Sequence, residues 1–460
     1  MKILGTSCYH HDSAAVSIHD GHILGASHEE RFSRKKFDKR FPVSTIKWLQ
    51  DAWDDWDFAV FYEESTYKDF KSEIKKHTRA QPVLVDHHES HAMSSICMTD
   101  WTECAIMVVD TVGNQYSTSL GVYHNGQVEW LKRFRYPNSL GLFYSAATRL
   151  LGFQPLSDEC KVMSAAAYGE PKWESWIHKH ILNWQSLEGD YTVLQNLERG
   201  VGFGKLDWDI AASVQSVLEK TLLTLSYWLQ KETGMSNLAY AGGVALNCVA
   251  NTKLLTLTPW REIAIQPAAG DAGCALGAAA LIERPFWQTV YLGIESSNHI
   301  SADECADRIL RGEIVPVING RAEFGPRALG NRSLLCAPTH DNIDKLNKIK
   351  NRETDYWRPY APVCQIEEAD KFFRVSQHSP YMLFIADIYD NSNFTTHDMT
   401  ARLQTVTGSS NAYLWKVLEK TRQYGYPILI NTSLNAKGKP IVNTVEDLHE
   451  MGINKSTISL

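Results

Sequence analysis

The chain has 460 residues, more than one hydrophobic core usually organises, so two or three domains are expected. Hydrophobic residues make up 44% of the sequence and charged residues 22%, as in an ordinary globular protein. The formal net charge of -7 excludes a general attraction to nucleic acid, so contact with DNA or RNA would need a local basic surface.

The cysteines and the hydropathy pattern indicate the compartment. Nine cysteines without a C-x-x-C pair fit neither a disulfide framework nor a structural zinc site. The sequence contains neither the apolar core of a signal peptide nor a run long enough to cross a bilayer. We therefore expect a cytoplasmic protein without a membrane partner; no feature of the sequence indicates an oligomeric state.

The N-terminal segment predicts a strand, a polar loop and a hairpin. The loop carries His11 and Asp12, and Asp20–Gly21 has the chemistry of a tight hairpin turn. The three strands are expected over 2–5, 14–18 and 23–26.

The same order of elements recurs further along the chain. An apolar strand over 105–109 leads into a polar loop opening with Asp110, and a second hairpin turns at Asn125–Gly126. The repeat predicts two similar α/β halves that face each other across a cleft.

A dense run of charged residues follows the first hairpin, over 29–37. Such runs usually form a solvated face, which is the interpretation favoured for most of this one. Its cations also offer a local strip that could follow a nucleic-acid backbone. The residues of that strip would be Arg31, Arg34, Lys35, Lys36, Lys39 and Arg40.

Two histidines begin a predicted helix. His87 and His91 are four residues apart and share one helical face, a spacing that suits a metal ion, whereas His88 points about 100° away around the helix. Acidic residues at other strand ends must complete such a site, and Asp271, beside a glycine-rich helix start, is the third candidate ligand. The alternative is a helix start capped by Asp86 with merely solvated histidines.

Candidate nucleotide contacts lie in two places. Gly242 and Gly243 follow a predicted strand, and glycines there let a phosphate approach the backbone N–H groups of a helix start. Lys161 precedes a run of small residues and can approach phosphate oxygens.

A domain boundary is expected near Arg284–Pro285, giving domains 1–285 and 286–460. The second domain concentrates arginines and lysines among glycines, prolines and aromatic residues, which suits capture of a phosphate or carboxylate. Hydroxyls and amides at the end of a strand over 427–430 can complete such an anion site. The members singled out are Arg327, Lys350, Arg352, Arg358, Arg402, Thr432 and Asn435.

Together these segments resemble the O-carbamoyltransferases of antibiotic and nodulation-factor biosynthesis, along essentially the whole chain. The matching segments are HDSAA, EERFSRKK, HHESHA, CKVMSAAAYG, GGVALNCVAN, PAAGDAG, EFGPRALGNRS, WRPYAP, ARLQTV and INTSLN. The resemblance implies an α/β fold: a duplicated actin/hexokinase-like (ribonuclease H-like) ATPase domain, like the tRNA threonylcarbamoyl-transfer protein. A smaller α/β domain like threonylcarbamoyl-adenylate synthase follows it.

The resemblance also implies the reaction. Carbamoyl phosphate binds in the C-terminal domain, its carbamate is adenylated with ATP, and the carbamoyl group passes to an acceptor hydroxyl in the N-terminal domain. A divalent metal, expected to be Fe(II), is the implied cofactor.

Site residues follow from the matching motifs. The implied iron ligands are His87, His91, Asp110 and Asp271; the catalytic residues beside the acceptor are His11, Asp12 and Lys36. The implied nucleotide contacts are Lys161, Gly242, Gly243 and Asn247. The implied carbamoyl phosphate contacts are Arg327, Lys350, Arg352, Arg402, Thr432 and Asn435.

The acceptor is left open. The leading hypothesis is a small molecule or nucleoside with a free hydroxyl; a 5-hydroxymethylpyrimidine, free or in DNA, is an alternative, although the net charge does not favour DNA. A fused system for tRNA threonylcarbamoyl transfer is a second alternative. A catalytically silent protein that binds nucleotide as a sensor is a third.

Overall fold

The computed structural model describes residues 1–53, 55–180, 205–352, 356–389 and 398–453. The chain forms two compact units: Met1–Glu29 with Lys39–Gln288, and Glu30–Asp38 with Thr289–Leu460. The charged segment Glu30–Asp38 therefore belongs to the second unit, although the sequence analysis placed it in the first domain.

The first unit consists of two α/β halves. The segment Glu30–Asp38, called the exchanged segment below, contains α1 (Glu30–Ser33) and belongs to the second unit. The first half contains β1 (Lys2–Ser7), β2 (Ala14–His19), β3 (His22–His28), α2 (Val43–Trp53), β4 (Phe58–Phe61), α3 (Tyr67–His77), β5 (Gln81–Leu84) and α4 (His87–Ile96). The second half contains β6 (Glu103–Gly113), β7 (Tyr116–His124), β8 (Gln127–Arg135), α5 (Leu140–Leu150), α6 (Glu159–Ala166), α7 (Glu174–His180), α8 (Lys205–Thr233), β9 (Asn237–Ala241), a 3₁₀ helix (Gly243–Leu246), α9 (Cys248–Leu257), β10 (Glu262–Ile265) and α10 (Asp271–Ala280).

Each half is built on a five-stranded sheet of the same order. The sheets run β3-β2-β1-β4-β5 and β8-β7-β6-β9-β10, and in both the last two strands are parallel to the middle one. The turn residues Asp20 and Asn125 have φ of 48° and 52°, and a glycine with positive φ follows each, as primed hairpin turns require. The predicted duplicated α/β fold is confirmed.

Helix α10 lies unusually close to its neighbours. A Cβ on Gly277 would sit 1.7 Å from the Ser90 carbonyl oxygen of α4, and one on Gly5 would sit 1.8 Å from the Ala275 carbonyl oxygen. Only glycine allows backbones to approach this closely. The first turn of α10 is thereby placed beside the histidine face of α4.

The second unit has a mainly antiparallel sheet, ordered β12-β14-β20-β15-β19, with two small sheets, β11-β13 and β16-β17-β18. Its elements are β11 (Tyr291–Glu295), α11 (Ala302–Leu310), β12 (Val315–Ile318), β13 (Arg321–Glu323), β14 (Arg332–Cys336), α12 (His340–Ile349), β15 (Ala361–Gln365), α13 (Ile366–Ala369), β16 (Phe373–Arg374), β17 (Ile385–Ile388), β18 (Thr400–Arg402), β19 (Gln404–Val406), α14 (Ala412–Gln423), β20 (Ile428–Ser433) and a 3₁₀ helix (Val445–Met451).

Two arginines fasten the exchanged segment to the second unit. Arg31, only 2% exposed, donates to the carbonyl oxygens of Gly325 (3.3 Å) and Val442 (3.4 Å). Arg34 forms a bidentate pair with the Glu450 carboxylate: Nε donates to Oε1 at 3.0 Å and Nη2 donates to Oε2 at 2.9 Å. Bidentate arginine–carboxylate pairs are among the stronger polar contacts, so these bonds explain why Glu30–Asp38 clusters with the second unit.

All nine cysteines are present as free thiols, in agreement with the expected absence of a disulfide framework. Across the described ranges, no helix combines the length and apolar character needed to cross a bilayer.

Replacing Gly277 by Ala should destabilise the first unit, because the new methyl group meets backbone atoms that cannot rotate away. We expect a loss of about 1–3 kcal/mol in the free energy of unfolding, measured by urea denaturation. Gly270→Ala is the control: a Cβ there meets nothing within 4 Å, and losing a glycine N-cap costs at most about 1 kcal/mol. Equal stability of the two variants would contradict the packing argument.

Candidate functional site

The histidine pair lies at the start of α4. Asp86 caps the helix, its Oδ1 accepting from the Glu89 N–H at 3.0 Å, so the capped start and the shared histidine face occur together. The rings of His87 and His91 stack with centroids 5.0 Å apart and 24° between their planes. Both residues are buried, at 1% and 0% exposure.

Two carboxylates complete the cluster. His91 Nε2 lies 3.4 Å from Asp110 Oδ2 and 3.7 Å from Asp271 Oδ1, and Asp271 Oδ1 is 3.6 Å from His87 Nε2. One donor atom from each residue lies within 4.8 Å of the others. All four sequence-predicted metal ligands therefore come together.

The positions of the two aspartates come from different local features. Asp271 is the first residue of α10, as its glycine-rich entry predicted. Asp110 lies inside β6, where the pairing register with β7 shifts between Val109 and Gly113, and not in the loop expected from the sequence. The irregular register at this point accompanies a carboxylate directed at the histidines.

The charges of the cluster are tightly coupled. Burial alone would favour neutral rings, yet Asp271, Cys274 and Glu63 hold the pKa of His87 well above the usual value. Cys274, Asp110 and Asp271 do the same for the pKa of His91. The two histidines in turn hold the pKa of the Asp271 carboxyl well below its usual range, despite burial. A divalent cation carries the same charge as two imidazolium protons and can replace them without changing the total charge.

Unsatisfied atoms also suit a cation. His87 Nε2 and both ring nitrogens of His91 are buried without a hydrogen-bond partner among the described residues. Buried polar atoms normally have partners, so these nitrogens are available as ligands. Two imidazoles and two carboxylates form a donor set suited to a first-row divalent metal.

A third acidic residue orients the pair and was missed by the sequence analysis. Glu63 Oε2 lies 3.0 Å from His87 Nδ1, the arrangement by which a carboxylate fixes the ring of a metal-binding histidine. Glu63 follows β4 and His87 follows β5, and these strands are parallel neighbours. The adjacent ends of these two strands could have predicted that Glu63 lies near His87.

His88 behaves differently from the pair that flanks it. Burial and the neighbouring His87 and His91 lower the pKa of its ring well below the usual value. Its Nδ1 lies 2.7 Å from the Ser119 hydroxyl. His88 thus has a neutral ring that contacts Ser119 and stands apart from the four-residue cluster.

His11 and Asp12 form a contact pair in the first unit. His11 Nδ1 is 3.3 Å from Asp12 Oδ2, and Nε2 is 2.6 Å from the Leu156 carbonyl oxygen. Although burial opposes the charge, Asp12 and then Asp271 raise the pKa of His11 to about 10. The ring thus carries a proton at neutral pH in this structure, whereas a base role calls for the neutral form.

The glycine turn contacts the cluster of histidines and aspartates directly. Gly242 has φ of 95°, and a Cβ there would lie 2.2 Å from the Val109 carbonyl oxygen. The Gly243 N–H donates to Asp110 Oδ1 at 3.0 Å. The predicted nucleotide turn and a predicted metal ligand therefore share a hydrogen bond.

Asn247 and Lys161, also predicted on the nucleotide side, have local partners. Asn247 caps α9 through the Ala250 N–H, and its side chain pairs with the Gln215 amide at 2.9 and 3.1 Å. Lys161 lies 3.1 Å from an Asp158 carboxylate oxygen. These contacts give Asn247 a clear structural role.

Lys350 is the centre of the predicted anion site in the second unit. It is 7% exposed, and its Nζ donates to Asn435 Oδ1 at 2.7 Å, to Ser433 Oγ at 3.3 Å and to the main-chain carbonyl oxygens of both residues. Burial, followed by Arg352, Arg358 and Lys36, lowers the pKa of the Lys350 ammonium well below its usual value.

Lys36 lies in a different unit from the one expected. The sequence analysis placed it with His11 and Asp12, but it belongs to the exchanged segment of the second unit and acts electrostatically on Lys350. Arg352 stacks over the Tyr360 ring at 4.4 Å.

The other predicted anion contacts occupy strands and loops of the second unit. Arg402 ends β18, and Thr432 lies within β20 opposite Leu334. Arg327 lies in the loop between β13 and β14, and its Nε is buried without a hydrogen-bond partner among the residues that the structure describes. That atom is the donor an anionic ligand can use.

The proposed nucleic-acid strip loses two of its members. Arg31 is buried, and Arg34 is engaged by Glu450. Neither guanidinium is presented to a phosphate backbone, and the expectation of a solvated face is wrong for Arg31.

Comparison with protein families gives matches over most of the chain. Residues 55–280 match a family described as Carbamoyltransferase N-terminus, and residues 306–459 match Carbamoyltransferase C-terminus. The nodulation protein NolNO of Sinorhizobium fredii is 32% identical over 95% of this chain and 76% of that protein. The 3'-hydroxymethylcephem-O-carbamoyltransferase of Amycolatopsis lactamdurans is 33% identical over 64% of this chain and 61% of that protein.

Solved structures show more distant similarity. Component A of the (R)-2-hydroxyglutaryl-CoA dehydratase of Acidaminococcus fermentans is 16% identical, with a TM-score of 0.41, over 62% of this chain and 98% of that one. HypF of T. kodakarensis is 14% identical, with a TM-score of 0.38, over 62% of this chain and 47% of that one.

Proposed function

Because the chain belongs to the carbamoyltransferase family, we propose that it is an ATP-dependent O-carbamoyltransferase that works through carbamoyl-adenylate. Carbamoyl phosphate is the carbamoyl donor, and the acceptor is a hydroxyl group of a small molecule or nucleoside. The second unit activates the donor, and the first unit carries out the transfer.

The observation that carries this proposal is the buried Lys350. Its ammonium contacts neutral oxygens of Ser433 and Asn435, and the charges that act on it are those of Arg352, Arg358 and Lys36. Gathering cations around a buried ammonium is unfavourable unless an anion compensates them. Carbamoyl phosphate supplies that negative charge, and Arg327 offers a further buried donor.

The proposed carbamoyl transfer has three steps. Water cleaves carbamoyl phosphate to carbamate and inorganic phosphate. A carbamate oxygen then attacks the α-phosphorus of ATP and displaces pyrophosphate, giving carbamoyl-adenylate. The acceptor hydroxyl loses its proton and attacks the carbamoyl carbon, so that AMP leaves. The cations of the second unit offset the charge of the phosphate groups.

The transfer step uses the first unit. His87, His91, Asp110 and Asp271 would hold a divalent metal, expected to be Fe(II), which supplies positive charge for nucleotide phosphate oxygens. The Gly242–Gly243 turn lies beside these residues and leaves room for the same nucleotide, although its own N–H groups donate to Ala269 and Asp110. In the proposed transfer, the neutral form of His11, a minor species below its raised pKa of about 10, takes the proton of the acceptor hydroxyl while Asp12 holds the ring.

The relatives and the charges support the proposed acceptor class. One relative is named for carbamoylation of 3'-hydroxymethylcephem, a hydroxymethyl group on a small molecule. A hydroxymethylpyrimidine nucleotide presents the same functional group and is the alternative acceptor. DNA is less favoured, because the net charge is -7 and Arg31 and Arg34 are engaged within the protein.

Pyrophosphate release tests the reaction. With ATP we expect release supported by carbamoyl phosphate and not by threonine plus bicarbonate, because threonine plus bicarbonate are the substrates expected for tRNA threonylcarbamoyl transfer. Turnover only with threonine and bicarbonate would favour the tRNA alternative and overturn the proposal. The acceptor is then sought by mass spectrometry of carbamoyl adducts, with hydroxymethylcytosine nucleotides, matching DNA and aminoglycosides offered separately.

Sulfate, a dianion that does not titrate near neutral pH, tests the Lys350 site. Because the pKa of Lys350 is lowered, we expect sulfate binding to take up a proton and to weaken as pH rises through that lowered pKa. Calorimetry in buffers of different ionisation enthalpy measures both effects. Lys350→Arg should bind without this pH dependence, since guanidinium stays charged.

Truncating the lysine provides the matched comparison. Lys350→Met should weaken sulfate binding about 10- to 100-fold, the equivalent of one lost charge-assisted hydrogen bond. Lys345→Met, on the same helix and paired with Asp341, should bind like the wild type. Equal loss in both variants would contradict a specific role for Lys350.

A further inference from the structure

The metal cluster contains a second set of donor atoms. Cys274 lies one helical turn after Asp271 in α10 and is completely buried. Its sulfur and a nitrogen from each of His87 and His91 lie within 4.8 Å of one another. The described residues thus form two groups that share the histidines: one with Asp110 and Asp271, the other with Cys274.

The position of Cys274 is fixed by the fold. The three-residue spacing puts Asp271 and Cys274 on the same face of α10. The contact of Gly277 with Ser90 holds this face against α4, so the thiol cannot withdraw without separating the helices. His87 Nε2 and both nitrogens of His91 are buried without hydrogen-bond partners among the described residues, which leaves them available to either set.

The two sets differ in chemical preference. Carboxylates suit hard ions such as Mn²⁺, whereas a thiolate selects soft, thiophilic ions such as Zn²⁺ or Cd²⁺. Mixed sets of imidazole and thiolate ligands occur among the three-ligand zinc sites of proteins.

We propose that His87, His91 and Cys274 form an alternative metal site for a thiophilic divalent ion, which excludes the ion held by the carboxylate set. Binding forms one metal–sulfur and two metal–nitrogen bonds and releases the thiol proton and any ring protons to solvent, without oxidation or reduction. If the ion held by the carboxylate set is needed for transfer, binding of the thiophilic ion should inhibit transfer, and this expectation rests on the proposed function. The proposed ligand set does not depend on that function.

Cd²⁺ and Mn²⁺ are the probes for the two sets. In the intact protein we expect Cd²⁺ to produce an ultraviolet thiolate-to-metal charge-transfer band and to displace bound Mn²⁺, followed by electron paramagnetic resonance. Cys274→Ser should lose the band and weaken Cd²⁺ binding about 10- to 100-fold while still binding Mn²⁺. Cys104→Ser, which removes another buried thiol, should keep the band.

The converse variant completes the test. Asp110→Asn should weaken Mn²⁺ binding and leave Cd²⁺ binding and its band unchanged, and His91→Ala should weaken both. The inference would be overturned by absence of the band in the wild type or by its persistence in Cys274→Ser. It would also be overturned if Cd²⁺ failed to displace Mn²⁺ or if Asp110→Asn weakened the binding of both ions equally. Absence of Mn²⁺ binding in the wild type with the band intact would instead count against the metal role in the proposed function.

Discussion

The close approach of helices α4 and α10 at Gly277 and Ser90 determines the geometry of the first unit's site. Because α10 has no side chain at the contact, its first turn reaches the histidine face of α4. His87, His91 and Asp271 are thereby buried together, and each can keep its charge only because the others are present. Such a cluster is unstable to the loss of one member, yet it is prepared for a divalent cation that carries the same charge as two protons.

The second unit also buries a charged group, in this case a cation. Lys350 is buried among neutral oxygens and further cations, which disfavours its charged form. The same desolvation strengthens its attraction for an anion, because electrostatic interactions grow as the surrounding dielectric falls. The protein thus has one site arranged for a cation and another for an anion, as the proposed reaction of a nucleotide with an acyl phosphate would require.

Local patterns predicted much of this architecture. Asp20–Gly21 and Asn125–Gly126 form the expected tight turns because their backbone preferences are local, and the histidine spacing places both rings on one face of α4. The assignment of Glu30–Asp38 to the first domain was wrong, because the position of this segment depends on nonlocal contacts. The transfer of Glu30–Asp38 to the second unit depends on Arg31 and on residues far away in the sequence.

The site was predicted unevenly for similar reasons. The four candidate metal ligands were predicted from spacing and motifs and come together. The position of Asp110 inside β6 depends on a register shift that no residue pattern indicates. Glu63 and Cys274 were missed, although adjacent parallel strands and helical spacing pointed to them. Lys36, which the resemblance places with His11 and Asp12, belongs to the segment that is part of the second unit.

The most direct test of the account follows an oxygen atom from donor to product. With carbamoyl phosphate labelled with ¹⁸O at the carbonyl oxygen, attack of carbamate on ATP places carbamate oxygen between carbon and phosphorus, and transfer leaves that oxygen on AMP. Mass spectrometry should therefore find the label divided between AMP and the carbamoylated product. Label confined to the product, with none in AMP, would contradict carbamoyl-adenylate as the intermediate.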